Sequence, residues 1–135
     1  MNNFLSIGSV PVTQALLQLK NNPQFWDLYT QRRDAYGEEN AHRGVSDVWL
    51  RYRDFAEFDG DWDKFRGPHD PIWYPAADKM PAIKDIAFEM MHWVRGERLG
   101  AVLITRIPPG GQRSEEHSSE LQSLAYLVCR LLLVK

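Results

Sequence analysis

Cysteine, excess charge of one sign and long apolar runs are all scarce in this sequence. Its one cysteine, Cys129, excludes a framework of intrachain disulfides and favours a reducing, cytoplasmic setting. Basic and acidic residues nearly balance, 16 against 18, so the net charge of −2 provides no basic surface for a nucleic-acid backbone. No stretch approaches the ~18 apolar residues that a membrane helix requires. We therefore expect a cytoplasmic protein with neither nucleic acid nor membrane as a partner.

Apolar and aromatic residues, by contrast, are plentiful. Hydrophobic residues make up 44% of the 135 residues and aromatic residues 12%, with five tryptophans among them. A chain of this length can bury one core, and large rings supply much of the buried area. The composition therefore predicts a single compact domain.

Capping and turn residues predict three helices in the first hundred residues. Thr13 can cap a short first helix, and Asn22, which precedes a proline, can cap a second. The second helix is expected to continue to Arg33, where a cation suits the helix dipole. Pro81 begins the third helix, whose apolar residues recur at helical spacing until Gly96 ends it.

Alternating polarity predicts a strand over residues 45–52. Val48, Leu50 and Tyr52 are expected on one face of this strand, and Trp49 and Arg51 on the other.

Two further segments are predicted to be extended, with an ordered loop before them. Residues 71–75 form a short piece bounded by prolines, and residues 99–107 are β-branched and almost continuously apolar, as is typical of an inner strand. Residues 54–70 are rich in Asp and Gly but carry several aromatic rings, so we expect an ordered loop that those rings hold against the rest of the domain.

The order of these segments and three motifs resemble a known enzyme family. The motifs are Val-Trp-Leu-Arg-Tyr at 48–52, Trp-Tyr-Pro at 73–75, and Leu-Gly-Ala-Val-Leu-Ile-Thr-Arg-Ile-Pro-Pro-Gly-Gly at 99–111. Residues 1–112 resemble the N-terminal part of bacterial and phage proteins similar to aspartyl/asparaginyl β-hydroxylases.

Those proteins are dioxygenases that use Fe(II) and 2-oxoglutarate and have a double-stranded β-helix, the jelly-roll or cupin-like fold. The resemblance implies an α+β domain in which N-terminal helices pack on the first strands of an incomplete β-helix. It also implies Fe(II) and 2-oxoglutarate as cofactors, and a small-molecule or peptide substrate in intact relatives.

The family's iron ligands are missing from this sequence. In the family, the Pro-Pro-Gly-Gly turn leads into a His-x-Asp pair, and a second histidine follows several strands later. Two imidazoles and one carboxylate hold the iron and leave positions open for 2-oxoglutarate and oxygen. The chain has four histidines, and none is followed two residues later by Asp or Glu: His42, His69, His92 and His117. We therefore expect the chain to bind neither cofactor and to be inactive as written.

Residues 113–135 have no counterpart in that family. They begin Arg-Ser-Glu-Glu-His and resemble the conceptual translation of a sequencing-library adapter, although Ser118 stands where that pattern has threonine. Residues 1–112 are thus expected to be the oxygenase-like part and residues 113–135 a non-native tail. The alternative is an amphipathic C-terminal helix, because four apolar residues recur at helical spacing: Leu121, Leu124, Val128 and Leu131. With such a docking helix the chain would be a small non-enzymatic binding or dimerisation module.

Two arginines are candidates for binding a carboxylate of 2-oxoglutarate, because a guanidinium pairs with a carboxylate through two hydrogen bonds. Arg51 lies on the predicted Trp49 face of its strand, and Arg106 lies on the strand that leads towards the expected iron site. The structural alternatives are that Arg51 stacks on Trp49 or pairs with a nearby aspartate, and that Arg106 points outward.

Three aromatic residues, Trp49, Trp73 and Tyr74, are candidates for the walls of a substrate cleft, although such rings more often belong to a core. Gly110 and Gly111 are assigned a geometric role, because a tight turn after two prolines needs residues that accept positive φ. No catalytic residue and no metal ligand can be assigned.

Overall fold

A computed structural model describes residues 8–34, 44–57, 60–107 and 125–126 of the chain. Within these ranges the helices are α1 (Thr13–Asn21), α2 (Gln31–Asp34), α3 (Trp62–Arg66), α4 (Pro75–Lys79) and α5 (Pro81–Trp93), with short 3-10 helices at Pro23–Phe25 and Phe55–Glu57. The strands are β1 (Ser46–Tyr52), β2 (Ile72–Trp73), β3 (Val102–Arg106) and β4 (Ala125–Tyr126). The strands form one antiparallel sheet in the order β2-β1-β3-β4, which confirms the predicted mixture of helix and strand.

The central pair of strands, β1 and β3, contains a β-bulge at Leu50. Trp49 pairs with Leu103, but the next pair along the ladder joins Arg51 to Val102, so Leu50 is the extra residue. A bulge interrupts the strict alternation of side chains between the two faces of a sheet. Arg51 and Tyr52 therefore exchange faces relative to the sequence-based prediction, which was wrong for both.

One face of the sheet, the helix face, is covered by helices. It consists of Val48, Leu50, Arg51, Val102 and Ile104. The residues packed here lie in α1, α4 and α5 and at the single position between α4 and α5: Ala15, Leu19, Ala76, Ala77, Met80, Ile83, Ile86 and Ala87. This aliphatic layer is the main apolar core of the described residues. Burial of each large aliphatic side chain contributes about 1.5–3 kcal/mol to folding stability.

The opposite face, the aromatic face, carries rings and polar groups. It consists of Asp47, Trp49, Tyr52, Leu103 and Thr105. The residues packed against it come from α3 and from the loops beside α2 and β2: Tyr29, Trp62, Phe65 and Tyr74. The aromatic-rich loop over 54–70 is thus ordered where the structure describes it, as predicted.

The predicted second helix is interrupted. A 3-10 helix covers Pro23–Phe25, and Asp27 then adopts a φ of 55°, which ends helical geometry. The Asp27 backbone N–H donates to the Asp47 carbonyl at 2.9 Å, and the Asp27 carboxylate accepts from the Asp47 N–H at 3.2 Å. These two bonds tie the segment to β1, and only the short α2 remains of the continuous helix that the sequence predicted.

The other predicted elements have a mixed outcome. The helices beginning at Thr13 and Pro81 and the strands over 45–52 and 99–107 are confirmed within a few residues. The extended piece over 71–75 is shorter than predicted, because Pro75 begins α4 instead of ending a strand. Proline suits the first turn of a helix, where its missing N–H has no partner in any case.

Two residues of the C-terminal tail join the sheet. β4 pairs with β3 through Ala125 opposite Arg106 and Tyr126 opposite Thr105, so the predicted tail helix is wrong at these positions. Residues 108–124 and 127–135 lie outside the described residues, and Gly110 and Gly111 with them. None of the helices in the described ranges combines the length and apolarity needed to cross a bilayer.

Candidate functional site

The structure distributes the predicted site residues over both faces of the sheet. Arg51, Trp73 and Arg106 lie with the helix face, whereas Trp49 and Tyr74 lie on the aromatic face. The two arginines also occupy opposite ends of the β1–β3 ladder. The described residues therefore do not assemble the arginines and the aromatic cleft walls into one site.

Arg51 contacts Trp73 rather than Trp49. Its guanidinium carbon lies 5.0 Å from the centre of the Trp73 ring, and its Nε donates to the Leu99 carbonyl at 3.3 Å. Partial burial, with the nearby charge of Arg98 as the second cause, lowers the pKa of Arg51 below its ordinary value. The expected stacking on a tryptophan is present, but the bulge selects a different ring.

Arg106 lies at the exposed end of β3. Its guanidinium carbon is 4.4 Å from the centre of the Trp26 ring, and the residue is exposed. Its role in binding 2-oxoglutarate stays a prediction.

Trp49 is the centre of an aromatic cluster. Its ring stacks on Tyr29 with the ring centres 5.1 Å apart, and it contacts Tyr52 at 4.6 Å and Tyr74 at 5.6 Å. Trp49 is only 2% exposed, and its buried indole N–H has no hydrogen-bond acceptor in the part of the chain that the structure describes. A buried donor without an acceptor is costly, so this atom marks a position where a partner would be favoured.

Tyr74 joins the aromatic cluster to the loop that follows β1. Its hydroxyl donates to the Arg53 carbonyl at 2.5 Å and accepts from the Phe55 N–H at 3.0 Å. Burial raises the pKa of the Tyr74 hydroxyl to about 12, so the group stays neutral in the physiological range. Tyr74 therefore holds the loop in place through the two hydrogen bonds of its hydroxyl.

A buried ion pair, which the sequence analysis missed, lies on the aromatic face. Arg32 Nη1 donates to both carboxylate oxygens of Asp47, at 2.9 and 2.8 Å, and the Thr105 hydroxyl donates to Asp47 Oδ1 at 2.7 Å. All three residues are at most 7% exposed. The available signal was the position of Asp47, two residues before Trp49 and so on the same face of a strand whose residues 48–50 are apolar.

Arg53 is a second buried cation that sequence reasoning missed. Its guanidinium donates to the carbonyls of Lys64 and Gly67 at 2.5 and 2.7 Å, and it lies 4.7 Å from the centre of the Phe65 ring. It is also 2.8 Å from His69 Nδ1, which must accept because arginine can only donate. These contacts fasten α3 and the following turn onto the aromatic face.

The aromatic face buries one hydrogen-bond donor that has no acceptor among the described residues, the indole N–H of Trp49, and its residues do not fit an iron centre. Among residues 8–34, 44–57 and 60–107, no three His, Cys, Asp or Glu side chains cluster as metal ligands would. His69 Nδ1 is engaged by Arg53, and the Asp47 carboxylate is engaged by Arg32 and Thr105.

No protein-family model matches the chain, and searches of the curated proteins and of the solved structures found no match.

Proposed function

We propose that residues 1–112 are the N-terminal part of a 2-oxoglutarate- and Fe(II)-dependent dioxygenase of the aspartyl/asparaginyl β-hydroxylase-like type. In this proposal β1 and β3 are early strands of a double-stranded β-helix, and intact relatives hydroxylate a small molecule or peptide. The 135-residue chain itself is inactive as written.

The contrast between the two faces of the sheet supports this proposal. In a β-helix enzyme, one sheet face is covered from outside and the other faces an interior that must hold polar ligands. Here helices cover the aliphatic face, while the aromatic face buries the Arg32–Asp47–Thr105 network and the unsatisfied indole N–H of Trp49. Polar groups buried beside large rings are costly in a purely structural layer and are common in the walls of a binding cavity.

The residues present do not fit iron, and we assign no iron-dependent step to them. The sequence has no His-x-Asp or His-x-Glu, and the described residues hold no metal-ligand cluster. The chain's own contribution is limited to the wall of the site: Trp49, Tyr29 and Tyr74 pack against one another, and Arg32 is held by Asp47.

Anaerobic titration of the purified 135-residue chain with Fe(II) tests the statement that it is inactive. We expect no saturable binding at a one-to-one ratio, with or without 2-oxoglutarate, and no oxygen consumption coupled to succinate release. Stoichiometric Fe(II) binding with coupled turnover would contradict the proposal.

A second candidate function is a complete, non-enzymatic binding or dimerisation module. The pairing of β4 with β3 favours it, because this pairing covers part of the β3 edge that a β-helix fragment would leave open. Within the described residues the tail contributes only Ala125 and Tyr126, which form a strand where the sequence predicted part of a docking helix.

Deletion of residues 113–135 separates the two candidates. If the chain is a module, the full chain should unfold cooperatively as a monomer or defined dimer, and the deletion should abolish that transition. If it is an oxygenase fragment, both chains should behave alike and aggregate through uncovered sheet edges.

A further inference from the structure

One buried guanidinium, that of Arg53, fastens α3 and the turn after it to the sheet. Arg53 is 7% exposed and donates to the carbonyls of Lys64 and Gly67 at 2.5 and 2.7 Å. Phe65 lies between these two residues in the sequence, and the centre of its ring is 4.7 Å from the guanidinium carbon. The position of α3 therefore depends on where the Arg53 guanidinium is held.

His69 provides the one side-chain acceptor for Arg53 within the part of the chain that the structure describes. Its Nδ1 lies 2.8 Å from Arg53 Nη2 and must accept, because a guanidinium can only donate. A neutral imidazole that accepts at Nδ1 carries its proton on Nε2. A further proton must therefore bind to the same Nδ1 atom that receives the hydrogen bond from Arg53.

Protonation of His69 is incompatible with this contact. An imidazolium has two donors and no acceptor, so the hydrogen bond from Arg53 is lost. A second cation would also lie 2.8 Å from a guanidinium that has no carboxylate partner in the described ranges. Because Arg53 is buried, solvent screens the repulsion poorly. The two cations can separate only if the segment that carries His69 moves away from Arg53.

The elements packed around this contact carry other titratable and charged groups, and none of those described pairs with Arg53. The ring centre of Tyr52 lies 6.0 Å from that of His69, and the neighbouring Asp70 pairs with Arg98 at 2.6 Å. The others are exposed or half-buried side chains of α3 and of the segments before it: Asp54, Asp61, Asp63 and Lys64. Loss of the hydrogen bond on protonation does not depend on them, because Nδ1 has a single lone pair in the ring plane.

We infer that His69 is an acid-sensitive latch, which holds α3 and the following turn on the aromatic face while neutral and releases them when protonated. Release would uncover Phe65, which is 4% exposed and packs against Tyr52 with the ring centres 6.1 Å apart. The exposed aromatic surface of the chain would thus change across the range in which histidine titrates. The latch does not rest on the proposed oxygenase function, because it needs only residues between Tyr52 and His69.

Hydrogen exchange of the full 135-residue chain at about pH 7.5 and about pH 5 tests the latch. The reporters are the N–H groups of Phe65 and Gly67, which donate to the carbonyls of Asp61 and Asp63, and the reference is the set of β1 amides. If His69 takes up its proton only after release, the release equilibrium should rise about thirtyfold at the lower pH, which is about 1.5 units below the ordinary histidine pKa of about 6.5. Protection, corrected for the effect of pH on intrinsic exchange, should fall by that factor in α3 and by less than about threefold in β1.

His69→Asn separates the latch from a general effect of acid, because the amide oxygen can accept from Arg53 in place of Nδ1 and does not titrate. This variant should keep the protection of α3 at neutral pH and lose its dependence on acid. His92→Asn is the matched control, because His92 is an exposed residue of α5, and it should retain the thirtyfold fall.

Two results would overturn the inference. One is equal protection of α3 at both pH values in the wild-type chain, relative to β1. The other is a full acid-dependent fall in His69→Asn. The wild-type comparison needs no variant, so the inference stays open to contradiction even if His69→Asn does not fold.

Discussion

The two faces of the sheet are stabilised by different physical means. The helix face is an aliphatic layer in which Val48, Leu50, Val102 and Ile104 are at most 1% exposed. The aromatic face buries Trp49 together with the charges of Arg32 and Asp47. An aliphatic layer tolerates small changes of shape, whereas a buried ion pair depends on both partners being present. The two sides of the same two strands thus depend on different interactions for their stability.

Removing one partner of the buried ion pair should have the largest effect. Asp47→Ala is expected to cost about 3–5 kcal/mol of unfolding free energy, because it removes the carboxylate that balances the buried charge of Arg32. Chemical denaturation of both proteins measures the difference.

The double variant Arg32→Met with Asp47→Leu is the control for that measurement. Replacing both charges by apolar groups of similar size should recover most of the lost stability. A loss under about 1 kcal/mol for Asp47→Ala alone would mean that the pair is effectively solvated.

Truncation within the aliphatic layer should come next. Ile104→Ala is expected to cost about 2–5 kcal/mol, because the side chain is 1% exposed and its loss leaves a cavity. Because no charge is lost, this cost should not change with salt concentration. Denaturation at low and high salt measures it, and a salt-sensitive cost for Ile104→Ala would contradict the assignment of this residue to an aliphatic layer.

Tyr74→Phe should have an intermediate effect. The hydroxyl bonds both Arg53 and Phe55, and leaving buried backbone groups without a partner costs about 1–3 kcal/mol. Thermal or chemical unfolding at neutral pH measures this loss, and no measurable loss would mean that water replaces the hydroxyl.

The same pair of proteins tests the pKa of Tyr74. The folded-state pKa of about 12 exceeds the ordinary value of 10.0, so the unfolded chain loses this proton first as the pH rises. The stability that the hydroxyl provides should be complete below pH 10.0 and be lost as the pH approaches about 12. The stability difference between wild type and Tyr74→Phe should therefore shrink across this window, and a constant difference would contradict the raised pKa.

The smallest effect is expected at the outer surface of α1. Leu17 is 47% exposed, so Leu17→Ala should change the unfolding free energy by no more than about 0.5 kcal/mol. Chemical denaturation measures the difference. A larger loss would indicate that an apolar partner covers this surface.

Periodicity was sufficient to predict the aliphatic residues of the helix face, but not the position of Arg51 on it. In α5, which begins at Pro81, the buried residues recur at the helical spacing of the apolar residues. In β3 the apolar run is itself buried. The sequence pattern therefore specifies the buried apolar residues of both segments. The break at Asp27 depends on hydrogen bonds to Asp47, twenty residues away, and a local pattern cannot indicate them.

The candidate site was harder to predict, because one bulge changes which side chains meet. Alternation placed Arg51 beside Trp49, and the extra residue at Leu50 moved it to Trp73. The network of Arg32, Asp47 and Thr105 joins three elements that are far apart in the sequence, so no local spacing of residues indicates it. The roles of the residues named from the resemblance, including Arg106 and Trp73, remain predictions.

The nucleotide sequence of the natural locus behind residues 105–135 tests the proposed function most directly. The proposal predicts that the natural reading frame continues past Gly111 into a His-x-Asp pair within about ten codons, a window consistent with the usual length of loops. A natural frame that encodes residues 113–135 as they stand here would contradict it.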